Sequence, residues 1–129
     1  MRSLGEGGFT LLEALIAVVI VGLAAAAALE TVGAELRTAT RARHALHASA
    51  LAEHRLETIR VLPVPELRSL PDSVRRGTFA APLERYGWTA AVREVAGEPG
   101  LYDAEVVVRW EGGSFPLQTR LYRPGLVVP

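Results

Sequence analysis

A single carboxylate, Glu13, stands inside the apolar run Phe9–Leu29, FTLLEALIAVVIVGLAAAAAL, as its only charged residue. The run has 21 residues. At about 1.5 Å of rise per residue it is long enough to cross the hydrocarbon of a bilayer as a helix. A carboxylate deep in such a helix costs about 2.5–3.5 kcal/mol, and less toward the end where Glu13 sits. The chemistry open to it is ion pairing, because opposite charges attract strongly in a low-dielectric setting and an unpartnered one is penalised.

No other set of residues offers comparable chemistry. His44 and His47 are three apart, with Glu53 and His54 farther along. They form no compact three-ligand cluster, so no metal and no other cofactor is expected. The Gly5–Gly8 stretch is no phosphate loop, since no strand precedes it and no Lys follows. Trp88, Tyr102 and Trp110 are expected in the core of a sheet rather than as a platform for ligand stacking. No Ser/His/Asp set or carboxylate pair stands out from the solvated charges, and no enzyme is expected.

Composition narrows the classes further. Fourteen basic residues balance fourteen acidic ones, so there is no basic footprint for nucleic acid. Cysteine is absent, which excludes disulfides, thiolate zinc sites and thiol nucleophiles. A chain of 129 residues holds one small domain beyond its apolar segment.

The elements that must position Glu13 follow from the pattern. No helix breaker appears between Phe9 and Pro63 except the glycines, and Glu30–Leu62 is mostly Ala, Leu, Glu and Arg, all good helix formers. One continuous helix of roughly 80 Å is expected from Phe9 to Leu62, apolar all round in its first half and amphipathic in its second. Val32, Leu36, Ala39, Leu46, Ala50 and Leu56 form its apolar face; Arg37, Arg41, Arg43, Arg55 and Glu57 are expected in solvent. Pro63, Pro65, Pro71 and Pro82 keep the next stretch irregular. Tyr86–Val95, Leu101–Trp110 and Phe115–Tyr122 then alternate as strands, with Gly97–Gly100 and Glu111–Ser114 as turns. A three-stranded antiparallel meander results, and it needs the helix to cover its apolar face.

The junction Gly8-Phe9-Thr10-Leu11-Leu12-Glu13 fits the pattern G-F-T-L-x-E. It resembles the processing site of the type IV pilin and type II secretion pseudopilin superfamily. That resemblance implies cleavage by a prepilin peptidase between Gly8 and Phe9, with Thr10, Leu11 and Leu12 completing the recognition motif. It implies N-methylation of Phe9, and pairing of Glu13 with the Phe9 amine of a neighbouring subunit during assembly. The fold class expected is α+β and pilin-like, a long N-terminal helix packed on a small antiparallel meander. Its parts are a leader (1–8), a membrane and filament-core helix (9–29), an amphipathic continuation (30–62) and a head (63–129). Arg2 is the only basic residue of the leader and Glu6 offsets it, whereas Arg37, Arg41 and Arg43 follow the span. The charge count alone favours the opposite orientation. The motif, read at the cytoplasmic face, is followed instead.

Within that superfamily, Ala50-Leu51-Ala52-Glu53-His54-Arg55-Leu56-Glu57 resembles the A-x-x-A-E-N-Q-L stretch of the I-component minor pseudopilin, with His54 and Arg55 replacing Asn and Gln. The short head points the same way. The implied role is a tip-initiating subunit of a type II secretion pseudopilus, anchored once in the inner membrane with the N-terminus cytoplasmic and the head periplasmic. Its implied partners are J- and K-like and major pseudopilins, prepilin peptidase, the inner-membrane assembly platform and membrane lipid. The Ala-rich stripe Ala39, Ala42, Ala45, Ala48, Ala50 and Ala52 permits close helix approach. A V-type minor pilin of a type IV pilus is the alternative. A more distant one is an exported binding domain behind a signal or anchor, with A-x-A sites in Ala24–Ala28.

Overall fold

The computed structural model describes residues 10–125. The leader and Phe9 lie outside the described residues, as do positions 126–129. The elements in order are α1 (Leu11–Arg60), α2 (Val64–Arg68), α3 (Asp72–Arg75), β1 (Arg76–Thr78), β2 (Gly87–Glu94), β3 (Leu101–Trp110) and β4 (Gly113–Tyr122). The chain divides at Arg41/Ala42 into two compact units.

The first unit is the N-terminal part of α1. Its β-branched polar residues do not interrupt the helix, because Thr31, Thr38 and Thr40 turn their hydroxyls back onto the carbonyls of Ala27, Ala34 and Leu36. From Leu11 to Arg41 no residue is buried. The apolar side chains of this stretch therefore have no protein cover within the chain.

The second unit is an α+β head in which the end of α1 packs on a four-stranded antiparallel sheet of order β1-β2-β3-β4. Helix α1 stops at Arg60 rather than Leu62, because Pro63 disfavours helical geometry at the residue before it. Leu62 still donates to the Ile59 carbonyl at 3.1 Å, a last tight turn. The Arg123 guanidinium, arriving from the end of β4, donates to the Arg60 carbonyl and satisfies one of the orphan acceptors of the helix end. The proline-rich stretch holds two short helices. Pro63 and Pro71 stand at their N-terminal boundaries, where a missing N–H costs nothing.

The strand alternation is as expected. Tyr102, Ala104, Val106 and Val108 of β3 are buried while Asp103 and Arg109 face solvent. Trp88, Ala90 and Val92 of β2 and Phe115, Leu117 and Leu121 of β4 face the same core. The sheet has one strand more than expected. Strand β1 is only Arg-Gly-Thr, too short and too polar to show a period of two, and it exists because it pairs with β2 through Gly77↔Trp88.

The helix face in the core also differs. It is Ala48, Ala52, Leu56 and Ile59, while Leu46 is 70% exposed and Val32, Leu36, Ala39 and Ala50 are exposed as well. Bulky rings explain the shift: Tyr86, just before β2, and Tyr102 of β3 are fully buried, and such rings fit beneath alanines better than beneath leucines. Arg55, expected in solvent, is half-buried with its guanidinium 4.0 Å over the Trp88 ring.

Candidate functional site

Thr10 immediately precedes α1, and the first turn is built around it. The backbone N–H of Glu13 donates to Thr10 Oγ1 at 3.1 Å, and that of Ala14 donates to the Thr10 carbonyl at 3.0 Å. Thr10 is therefore the N-cap, and Glu13 stands three residues into the helix. Thr-x-x-Glu is the sequence of a capping box. This role was legible in the spacing, yet sequence reasoning took Thr10 only as part of a recognition motif. An acid in the first turn also lies at the positive end of the helix dipole. Leu11 and Leu12 follow with their side chains exposed. Gly8 and Phe9, the residues of the proposed cleavage and methylation, are outside the described residues.

The histidines separate. His44 Nδ1 is 2.7 Å from the Tyr86 hydroxyl, and its ring stacks on Trp110 with centroids 6.1 Å apart. His47 meets the edge of Tyr86 at 6.5 Å, and His54 is exposed. His44 thus serves as the hydrogen-bond partner of a buried tyrosine. Among the described residues no three His, Cys, Asp or Glu side chains come together as a metal site.

Tyr102 belongs to the buried core cluster, and Trp88 and Trp110, partly buried, pack against it. The Trp88 indole N–H donates to the Val74 carbonyl at 3.0 Å and its ring packs on Phe79. Over it lies Arg55, whose Nη2 donates to the Ser73 carbonyl at 3.2 Å. Its Nε is buried without a partner, and burial lowers the guanidinium's pKa from its ordinary value. Arg68 shifts the other way, raised first by the Tyr102 hydroxyl and then by Glu94, 4.0 Å away. These arginines fasten the 61–86 segment to helix and sheet, and neither faces a built pocket.

The sheet's outer face carries a shallow depression lined by Arg93, Asp103, Glu105, Gln118 and Arg120. Arg120 is ion-paired with Asp103 at 2.8 Å and Gln118 hydrogen-bonds to Glu105. That face is a solvated row of cross-strand pairs.

Helix α1 is long and apolar enough to cross a membrane by length and composition, which fits a single N-terminal membrane anchor. Comparison with protein-family models matches residues 4–29 to the prokaryotic N-terminal methylation motif. The chain thus carries, at its N-terminus, the signal of type IV pilin-like and pseudopilin proteins. Neither the curated proteins nor the solved structures give a match.

Proposed function

We propose that this chain is a minor pseudopilin, a structural subunit of a type II secretion pseudopilus that supports protein export, most like the I component. The observation that carries the reading is the junction Gly8-Phe9-Thr10-Leu11-Leu12-Glu13 at the head of an exposed apolar helix, within the matched residues 4–29. Prepilin peptidase cuts after Gly8, and Phe9 becomes a methylated amino terminus. The anchor lies in the inner membrane, with the head in the periplasm. Glu13 pairs with the Phe9 amine of a neighbouring pseudopilin as the helices bundle. The short head and the Ala50–Glu57 stretch support the I component over its larger J and K partners.

Intact-mass and N-terminal mass spectrometry of protein isolated from membranes tests this. The expected terminus is methylated Phe9. An intact Met1, or a start beyond Ala24, overturns the reading.

A further inference from the structure

We infer that the free edge of β4, with the groove between it and α1, is a docking site for an extended segment of a partner protein that carries Lys or Arg at alternate positions. Every residue of the site lies in the head, and the site stands whether or not the chain is a pseudopilin.

The sheet ends on two unlike edges. Strand β1 is three residues long; β4 is ten and pairs only with β3 among the described residues. One bond fixes which of its backbone groups are free. The Arg123 N–H donates to the Gly100 carbonyl at 2.7 Å, on the side of β3. Backbone groups of an antiparallel strand alternate between its two sides. Leu121, Thr119 and Leu117 therefore also turn theirs to β3, while Arg120, Gln118 and Pro116 turn theirs outward. Pro116 fits this parity, since proline is tolerated where no ladder bond needs its N–H. Proteins blunt such edges with proline and charge, but here only in part. Pro116 removes one donor, and Arg120 is tied to Asp103 on the outer face of the sheet. The N–H and carbonyl of Gln118 and Arg120 and the carbonyl of Pro116 remain, a row that an added strand completes.

Beside this edge runs a groove of about 570 Å³, lined by Glu53, His54 and Glu57 of α1 and by Leu117, Gln118 and Thr119 of β4. A strand laid on β4 places every second side chain over the groove. There it meets two exposed carboxylates four residues apart on one helix face. Glu53 has no ion-pair partner among the described residues, and Glu57 has only the exposed Arg60 at 2.7 Å. The acidic wall and the period of two together specify the occupant, an extended segment with a cation at every second position. A second copy of β4 fits less well, because it would present Leu117 and Thr119 to the groove and no cation.

The test is titration of a labelled peptide of about seven residues, Thr alternating with Lys, into the full-length protein in detergent at low ionic strength, read by fluorescence anisotropy. Saturable binding is expected. With Lys over the groove, the Thr amides are the ones that face β4. N-methylation of the Thr residues, or exchange of Lys for Glu, is therefore expected to weaken binding at least about fivefold, and N-methylation of the Lys residues to leave it unchanged. Gln118→Pro removes the central outward N–H and is expected to cost at least about fivefold, whereas Gln118→Ala, which keeps that N–H, is expected to bind as the unaltered chain does. Glu53→Lys with Glu57→Lys is expected to lose about as much as Gln118→Pro. Near-UV circular dichroism checks that each variant is folded, and should Gln118→Pro not fold, the two N-methylated peptides decide the backbone contact alone. Absence of saturable binding overturns the site. So does undiminished binding of the Thr-methylated peptide, of folded Gln118→Pro or of the doubly reversed variant. Self-association of the chain that Gln118→Pro abolishes, without peptide binding, overturns it in favour of a second copy.

Discussion

Glu13 has two physical uses that pull on different atoms. As the third helical residue behind Thr10 it gives its backbone N–H to the Thr10 hydroxyl, a role that glutamine fills as well as glutamate. As the partner of a neighbour's amine it needs its charge. Substitution separates them. Glu13→Gln is expected to leave membrane insertion unchanged and to abolish co-purification with partner pseudopilins. Thr10→Ala is expected to cost about 1 kcal/mol of helix-end stability while leaving the pairing charge in place. Normal co-purification of Glu13→Gln counts against the ion pair and leaves Glu13 as a cap alone. Arg55 poses a similar question inside the head. Its guanidinium lies over the Trp88 ring, yet its buried Nε has no acceptor. Arg55→Met keeps the stem and removes that donor, so the urea midpoint of the head is expected to hold or rise. Arg55→Ala is expected to lose about 1–2 kcal/mol through lost packing. Near-UV circular dichroism of the full chain in detergent reads both.

At the scale of elements, two tryptophans substitute for side chains that glycines lack. Gly77 pairs across strands with Trp88 and Gly113 with Trp110, and in each pair the indole lies on the glycine. A Cβ at Gly77 would stand 2.5 Å from the Trp88 ring, and that ring is held by Val74, Phe79 and Arg55 together. Gly77→Ala is therefore expected to cost about 1–3 kcal/mol and lower Tm by roughly 5–15 °C. Gly22→Ala, with open space around it, is expected to leave the head's Tm unchanged. This packing also shows why some elements were legible and others were not. Strand β3 could be read residue by residue because Tyr102, Ala104, Val106 and Val108 alternate with polar neighbours and a Gly-Gly turn follows. Strand β1 could not, since its reason to exist is the ring of Trp88, eleven residues away. The helix misled in the same manner. Periodicity chose large residues such as Leu46 for the core face, whereas the rings of the sheet chose Ala48 and Ala52. At the candidate site, Glu13 was visible as an anomaly of composition, and its cap to Thr10 was written in the spacing but went unread.

The whole molecule joins a unit with no buried residue among those described to one that contains the entire described core, from Ala48 to Leu121. The head therefore has what independent folding requires: a single cluster that joins helix, sheet and the short connecting helices, and a helix end whose Arg60 carbonyl accepts from Arg123. A fragment of residues 42–129 is expected to be soluble without detergent and to unfold cooperatively. At about 0.05–0.15 kcal/mol per residue its stability is expected to be roughly 4–13 kcal/mol. Its near-UV spectrum should match that of the head in the full chain, because Tyr86, Trp88, Tyr102 and Trp110 all keep their neighbours. The same fragment is expected not to associate with partner pseudopilins in membranes, since Glu13 and the apolar part of α1 are removed. Sedimentation and co-isolation measure the two halves of this prediction. A fragment that is folded yet still associates places the assembly surface on the head instead of on the helix. A fragment with no near-UV signal shows that the head depends on residues before Ala42.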